Sequence, residues 1–278
     1  MAFKTVFLAV GSTDDDSEID RAAAICGKLG AHLSLLVLGI APPPPASPYG
    51  VVSNDVWAGE IREGQDEVQA RAAAVEERLG AGPVPFSVEG QYIDRGTVAT
   101  LAARFARYSD VTLITPQRPG YESMQSWVMN GALFESGRPV LLLPKRQTRF
   151  PEVGKLMIAW DASVEASKAV QASIGLMQAA GEVHAVLIDP VPSFEGHGPE
   201  PGADLATYLG RHGIETTVHR LPREGRGTGE MLRRTAGDLG ADLIVMGGFG
   251  HSRLRQRIFG GTTTSMMKET EVAVLMAH

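Results

Sequence analysis

The two halves of the chain carry the same series of short apolar segments in the same order. Each matching pair falls on a predicted strand, and helical patterns separate the strands. Generic strand composition can produce single matches, but a shared order along both halves indicates a duplicated unit. The matching pairs are FLAVGS and MIAWDAS, GAHLSLLVL and GEVHAVLI, SDVTLITP and ADLIVMGG, and RPVLLLP and EVAVLMA.

The duplication predicts two domains, 1–146 and 154–278, joined by the polar bridge KRQTRFPEVG. In each domain strands alternate with helices, which is typical of an α/β fold with an open parallel sheet and right-handed crossovers. We therefore expect two tandem Rossmann-like domains. Ligands of such sheets bind beyond the carboxyl ends of the strands, so functional residues are sought there.

One long helix and one long loop are predicted in the first half. Apolar residues between Gly59 and Leu79 recur at helical spacing and predict an amphipathic helix. The segment before it, Ala41 to Ala58, is rich in proline and predicts a surface loop. The expected buried face of the helix consists of Ile61, Val68, Ala72, Val75 and Leu79.

Composition excludes several classes of partner. The formal net charge of -6 disfavours a nucleic acid. No apolar stretch reaches the ~18 residues of a membrane span, so no membrane partner is expected. Cys26 is the only cysteine and can form no internal disulfide. Without the pattern of a signal peptide at the start, we expect a cytoplasmic protein.

Glycines and hydroxyl residues concentrate after the predicted strand Asp242 to Met246, in the segment GGFGHSRLRQRIFGGTTTSMM. Glycines let a backbone approach a ligand closely, and a following helix N-terminus with threonine hydroxyls can face phosphate oxygens. An anion site is one interpretation of this segment. The other is that the glycines only form a tight strand exit and a helix turn.

This segment resembles the signature of the universal stress protein family (UspA-like), in which Gly, two residues, Gly, nine residues and Gly precede a Ser or Thr. Gly247, Gly250 and Gly260 match that spacing. At the Ser/Thr position the chain has Gly261, and Thr262 follows immediately. The resemblance implies a nucleotide site in the second domain that binds ATP or AMP, possibly with Mg2+. The hydroxyl of Thr264 belongs to the same expected phosphate site.

The resemblance implies further site residues at strand ends. Asp161 stands where the family has an acidic residue that contacts the adenosine, and its alternative role is a helix cap or turn. Leu187 and Met246 stand where the family has its adenine wall, and both can equally be core residues. In the first half Gly11 replaces the aspartate and the glycine loop is absent, so that domain is expected to be degenerate.

The family unit pairs through its last strand. The resemblance therefore implies an intramolecular pseudo-dimer in which Pro139 to Leu143 lies along Ala273 to Met276. Such pairing would cover strand edges that are otherwise open. A homodimer of the whole chain is a further possibility that the sequence leaves open.

Enzyme motifs are missing from the sequence. It contains no HExxH, GxSxG or GxxxxGK[ST] pattern. We therefore predict no catalytic residue and no resident metal, although Asp189 with Asp161 could hold a magnesium ion. His251 and the arginines Arg253, Arg255 and Arg257 can touch phosphate or be solvated.

Three functions stay open at this point. The leading hypothesis is a stress-response protein that binds an adenine nucleotide and acts as a sensor or regulator. The alternative is an interaction protein without nucleotide that binds an unknown protein partner. The third is a slow ATPase.

Overall fold

The computed structural model describes residues 3–43, 55–114, 122–144, 152–248, 262–263, 265–266 and 271–278. The described residues cluster into two compact units. The first unit comprises those of 3–113 and 119–136, and the second comprises those of 114–118 and 137–278. Each unit is an α/β arrangement with parallel strands, which confirms the predicted fold class.

The first unit contains a sheet with the strand order β3-β2-β1-β4, in which the paired strands run parallel. A 3-10 turn, Arg95–Thr97, follows β3, and a π-helical segment, Gly131–Glu135, follows α4. The elements are β1 Thr5–Gly11, α1 Ser17–Leu29, β2 His32–Ala41, α2 Asp55–Gly80, β3 Phe86–Asp94, α3 Val98–Arg107, β4 Val111–Ile114 and α4 Glu122–Asn130.

The second unit contains the strand order β5-β10-β9-β6-β7-β8. All of its paired strands run parallel except β5, which lies antiparallel to β10. The elements are β5 Val140–Leu142, β6 Lys155–Ala159, α5 Val164–Ala179, β7 Glu182–Ile188, α6 Ala203–Arg211, β8 Thr216–Leu221, α7 Thr228–Leu239, β9 Leu243–Gly247 and β10 Ala273–Ala277.

The predicted pairing of the final strands of the two repeats is present. Leu142 lies opposite Val274, and Val140 lies opposite Met276. The strand β5 precedes residue 146 in the sequence but clusters with the second unit. Every residue of β5 and β10 is buried, so the two strands form part of the apolar core of that unit.

The amphipathic helix is confirmed, but the loop before it is shorter than predicted. Four of the five residues expected to face the core are buried in α2: Val68, Ala72, Val75 and Leu79. The helix begins at Asp55, so residues 55–58 are helical although they were assigned to the proline-rich loop. The sequence pattern missed them because the periodic apolar face starts only at Ile61. The proline run itself lies outside the described residues from position 44 onward.

The described helices include none that is both long enough and apolar enough to cross a membrane. The one cysteine, Cys26, is buried on α1, and burial raises the pKa of its thiol to about 12. A thiol with this pKa stays protonated near neutral pH and is a poor nucleophile.

Candidate functional site

The strand order of the second unit reverses direction between β6 and β9. From β6 the chain proceeds outward through β7 and β8, and then returns to β9 on the other side of β6. Ala159 near the end of β6 lies opposite Met246 near the end of β9. In parallel α/β sheets the crevice at such a switch point is where ligands bind. The carboxyl ends of β6 and β9 therefore mark the candidate site.

Asp161, just after β6, is exposed and takes part in a tight turn. Its Oδ1 accepts hydrogen bonds from the backbone N of Ser163 at 3.1 Å and from Ser163 Oγ at 2.6 Å. Ser163 is the N-cap of α5, and its Oγ accepts a bond from the backbone N of Ala166 at 3.1 Å. Asp161 thus orients the residue that caps α5. This is the turn role that the sequence left open beside ligand contact.

Gly247 allows the first turn of α5 to approach the end of β9. A Cβ built at this position would lie 2.6 Å from the backbone N of Ala166 and 3.0 Å from Cβ of Glu165. The 2.6 Å distance is shorter than real Cβ contacts, so a side chain at this position would force the start of α5 to shift. The consequence is that the amino end of α5, where backbone amides and the helix dipole favour anions, stands at the switch point.

Gly248 is the last described residue before the glycine loop, and it is fixed to the end of β10. Its backbone N donates to the carbonyl of Ala277 at 2.9 Å, and His278 Nδ1 lies 2.9 Å from its carbonyl oxygen. These bonds set the direction in which the chain leaves β9. The role of His278 gave no signal in the sequence because it depends on the pairing of β9 with β10.

The expected adenine wall is buried. Leu187 is 0% exposed and Met246 is 5% exposed. Leu187 lies beside Gly202, where a built Cβ would come within 3.4 Å of its Cδ1. Complete burial favours the core role for Leu187, which the sequence left open, whereas Met246 sits next to the strand exit at Gly247.

The phosphate part of the expected site is described only in part. Gly250, Gly260, Gly261 and Thr264 lie outside the described residues, as do His251 and the three arginines of the loop. Thr262 is half-buried and helical, and Thr263 beside it is buried.

The helical residues after the loop pack against the start of α7. A Cβ at Gly229 would lie 3.1 Å from Cβ of Ser265 and 3.4 Å from the carbonyl oxygen of Thr262. Arg233 also donates a hydrogen bond to Ser265 Oγ. Gly229 and Arg233 therefore place Thr262, and sequence reasoning missed both because the contact joins separate elements.

The suggested magnesium pair of Asp189 and Asp161 is not supported. Asp189, after β7, accepts bonds from the backbone N of Arg223 at 3.0 Å and from its Nε at 3.1 Å, one on each carboxylate oxygen. The backbone bond, and then the guanidinium, lower the pKa of Asp189. Its carboxylate thus joins the ends of β7 and β8. Within the described ranges, no three His, Cys, Asp or Glu side chains form a metal-binding group.

At the corresponding edge of the first unit, the carboxylate of Asp14 binds the last residue of β1. Asp14 Oδ2 accepts a hydrogen bond from the backbone N of Gly11 at 2.7 Å, and a Cβ at Gly11 would lie 3.2 Å from the same oxygen. The N-cap of α1 is Asp16, whose side chain makes no cap bond. It forms an ion pair with Arg71 at 2.7 Å instead.

The second unit is thus a parallel-sheet α/β domain of the Rossmann-like class with a candidate ligand site at its carboxyl edge. A model of the universal stress protein family matches residues 152–278. Residues 152–278 are thus similar to universal stress protein domains, in agreement with the resemblance that the sequence indicated.

Similar proteins agree with this assignment. The Universal stress protein Slr1230 of Synechocystis is 29% identical over 142 residues, which are 50% of this chain and 46% of that protein. The chain thus matches about half the length of this relative.

Two solved structures share the fold over nearly the whole chain. A universal stress protein from Archaeoglobus fulgidus has a TM-score of 0.67 at 18% identity, over 100% of this chain and 96% of that one. A putative universal stress protein from Pseudomonas aeruginosa has a TM-score of 0.62 at 16% identity, over 99% and 92% of the two chains.

Proposed function

We propose that this protein binds an adenine nucleotide, ATP or AMP, at the β6–β9 edge of its second unit and acts as a sensor or regulator. The observation that carries the proposal is the approach of α5 to the end of β9 at Gly247. The positive end of this 16-residue helix therefore lies beside the end of β9, at the switch point of a parallel sheet.

Every expected site residue except the fully buried Leu187 has a role in this proposal. Asp161 is exposed at the end of β6, where its carboxylate can accept a hydrogen bond from a ribose hydroxyl. Met246 and the backbone at Gly247 line the strand exit. Gly250, Gly260, Gly261, Thr262 and Thr264 supply backbone amides and hydroxyls for the phosphates, with Mg2+ as a possible companion of ATP.

The test is calorimetric titration of the full chain with ATP and with AMP, each with and without Mg2+. Asp161→Ala removes both the carboxylate and the Ser163 turn, whereas Asp161→Asn keeps an oxygen for the turn and removes the charge. Asp15→Ala is the matched control, because Asp15 accepts the same pair of bonds from Ser17 in the first unit, at 3.0 and 2.6 Å.

We expect saturable binding that Asp161→Ala weakens by about tenfold or more, since hydrogen bonds to charged groups contribute about 1.5–3 kcal/mol. Asp161→Asn should weaken binding as well, and Asp15→Ala should leave it unchanged. Equal losses in the Asp161→Ala and Asp15→Ala variants would show a general effect of the turn on folding. The absence of heat with either nucleotide at millimolar concentration would contradict the proposal.

The second candidate function is an interaction protein without nucleotide. The observation that favours it is the loop between β7 and α6, where Phe194 and Val191 are exposed large apolar side chains. An exposed phenylalanine is a common contact residue at protein interfaces. A Phe194→Ser variant that loses a protein partner, in a chain that binds no nucleotide, would select this function.

A further inference from the structure

Four charged or titratable side chains form a connected row across β6, β7 and β8. Lys155 Nζ lies 3.3 Å from Glu182 Oε2, which lies 3.2 Å from His184 Nε2. On its other side, His184 Nδ1 lies 3.1 Å from His219 Nε2. One nitrogen of each imidazole therefore faces a nitrogen of the other ring at hydrogen-bonding distance.

The register of the strands brings these side chains to one face of the sheet. His184 lies opposite Thr217, so His219, two residues further along β8, is its diagonal neighbour on that face. His184 is 9% exposed and His219 is half-buried. His184 also lies four residues before the end of β7, which is about 13 Å from the carboxyl edge. The pair is therefore separate from the proposed nucleotide site.

We infer that His184 Nδ1 and His219 Nε2 form a binding site for a divalent first-row transition cation such as Zn2+ or Cu2+, with water completing the coordination. Metal–imidazole bonds of about 2.0–2.1 Å place two nitrogens on one ion about 2.8 Å apart in square-planar geometry and about 3.4 Å apart in tetrahedral geometry. The observed 3.1 Å lies between these values, so small ring movements suffice.

Glu182 gives His184 the tautomer that a metal ligand needs. A carboxylate only accepts hydrogen bonds, so His184 Nε2 carries a hydrogen and donates a hydrogen bond to Glu182 Oε2. In the neutral ring Nδ1 then has a free lone pair directed at His219. Metal-binding histidines commonly have such a carboxylate on their second nitrogen. Lys155 holds the Glu182 carboxylate in place.

His219 offers its Nε2 to the same ion, 3.1 Å from His184 Nδ1. Metal coordination needs its proton on Nδ1, a tautomer change that moves no heavy atom. The sequence gave no hint of this site because the two histidines are 35 residues apart on different strands.

The experiment is a calorimetric titration of the full chain with Zn2+ in the absence of nucleotide, on the parent and on His184→Gln, His219→Gln and Glu182→Gln. His32→Gln is the matched control, because His32 also projects from a strand and its Nε2 contacts a hydroxyl, that of Ser87, at 3.1 Å. Paramagnetic resonance of bound Cu2+ counts the coordinating nitrogens in each variant.

We expect each His→Gln variant of the pair to weaken Zn2+ binding by more than about tenfold and to remove one nitrogen from the Cu2+ spectrum. Loss of an outer carboxylate usually weakens metal binding by about 10–100-fold, so Glu182→Gln should lie in that range and Glu182→Asp should recover part of the loss. His32→Gln should change neither readout.

The inference fails if His219→Gln binds Zn2+ with the affinity of the parent, or if its Cu2+ spectrum keeps the same nitrogen count. Because His219 is half-buried, this variant is expected to fold even where His184→Gln does not. Its circular dichroism and melting temperature verify this. Nucleotide binding is measured separately, so failure of one proposal leaves the other standing.

Discussion

The two units share the turn after their first strand but differ at the strand end itself. Asp161 binds Ser163 in the second unit as Asp15 binds Ser17 in the first, through the same two donors. Sequence alignment set Gly11 against Asp161, whereas the hydrogen bonds make Asp15 the counterpart. The comparison teaches that the aspartate–serine hydrogen bonds of this turn are present with or without the glycine-rich sequence of the second unit. The candidate site of the second unit is distinguished by the close approach of α5 to the end of β9 at Gly247.

The largest effect is expected for Gly247→Ala. Its Cβ would meet the backbone N of Ala166 at 2.6 Å, so α5 would have to move. Overpacking of this kind costs about 1–3 kcal/mol in the free energy of unfolding. Gly11→Ala is the comparison, because its Cβ would touch only the Asp14 carboxylate, which can swing away. Urea denaturation of both variants measures the difference, and equal costs would refute the packing role of Gly247.

A medium effect on stability is expected for Ser163 and Ser17, the serines of the two matching turns. Ser163→Ala removes an N-cap bond of 3.1 Å and should lower the free energy of unfolding by about 1 kcal/mol. In Ser17→Ala the helix loses no cap, because Ser17 is the first helical residue and Asp16 is the N-cap. We expect a clearly smaller loss there. Melting temperatures in parallel would distinguish the two, and a larger loss for Ser17→Ala would contradict the cap assignment.

The smallest effect is expected for the pH dependence of stability that arises from the ion pair of Asp189 with Arg223. The pKa of Asp189 is lowered in the folded state, from a usual value of 3.8. The unfolded chain therefore takes up the proton first as the pH falls. The stabilisation is complete above the usual value and is lost as the pH falls through the lowered one. We expect Asp189→Asn to be less stable than the parent at pH 7 and equally stable near pH 2. A constant difference across that range would contradict the ion pair.

The fold was predictable because its main signals repeat along the chain. Buried strands and the face of α2 recur with fixed periods, so Val68 and Val75 were assigned correctly from spacing alone. The pairing of β5 with β10 came from the family resemblance.

The site was less predictable because its contacts join distant segments. The approach of Ala166 to Gly247 and the contact of His184 with His219 arise from strand order and register. Neither contact can be predicted from a local sequence pattern. Asp161 was predicted as a site residue from the family resemblance, but its hydrogen bond with Ser163 depends on the conformation of the turn.

The antiparallel pairing of β5 with β10 limits how the chain can be divided into separate repeats. Cutting the chain between its repeats would separate β5 from the five buried residues of β10. The free second repeat would then present an unprotected apolar strand, which recruits any matching strand that it meets. A single repeat expressed alone should therefore dimerise or precipitate. Covalent linkage of the two repeats thus keeps the partner strand of β10 within the same polypeptide.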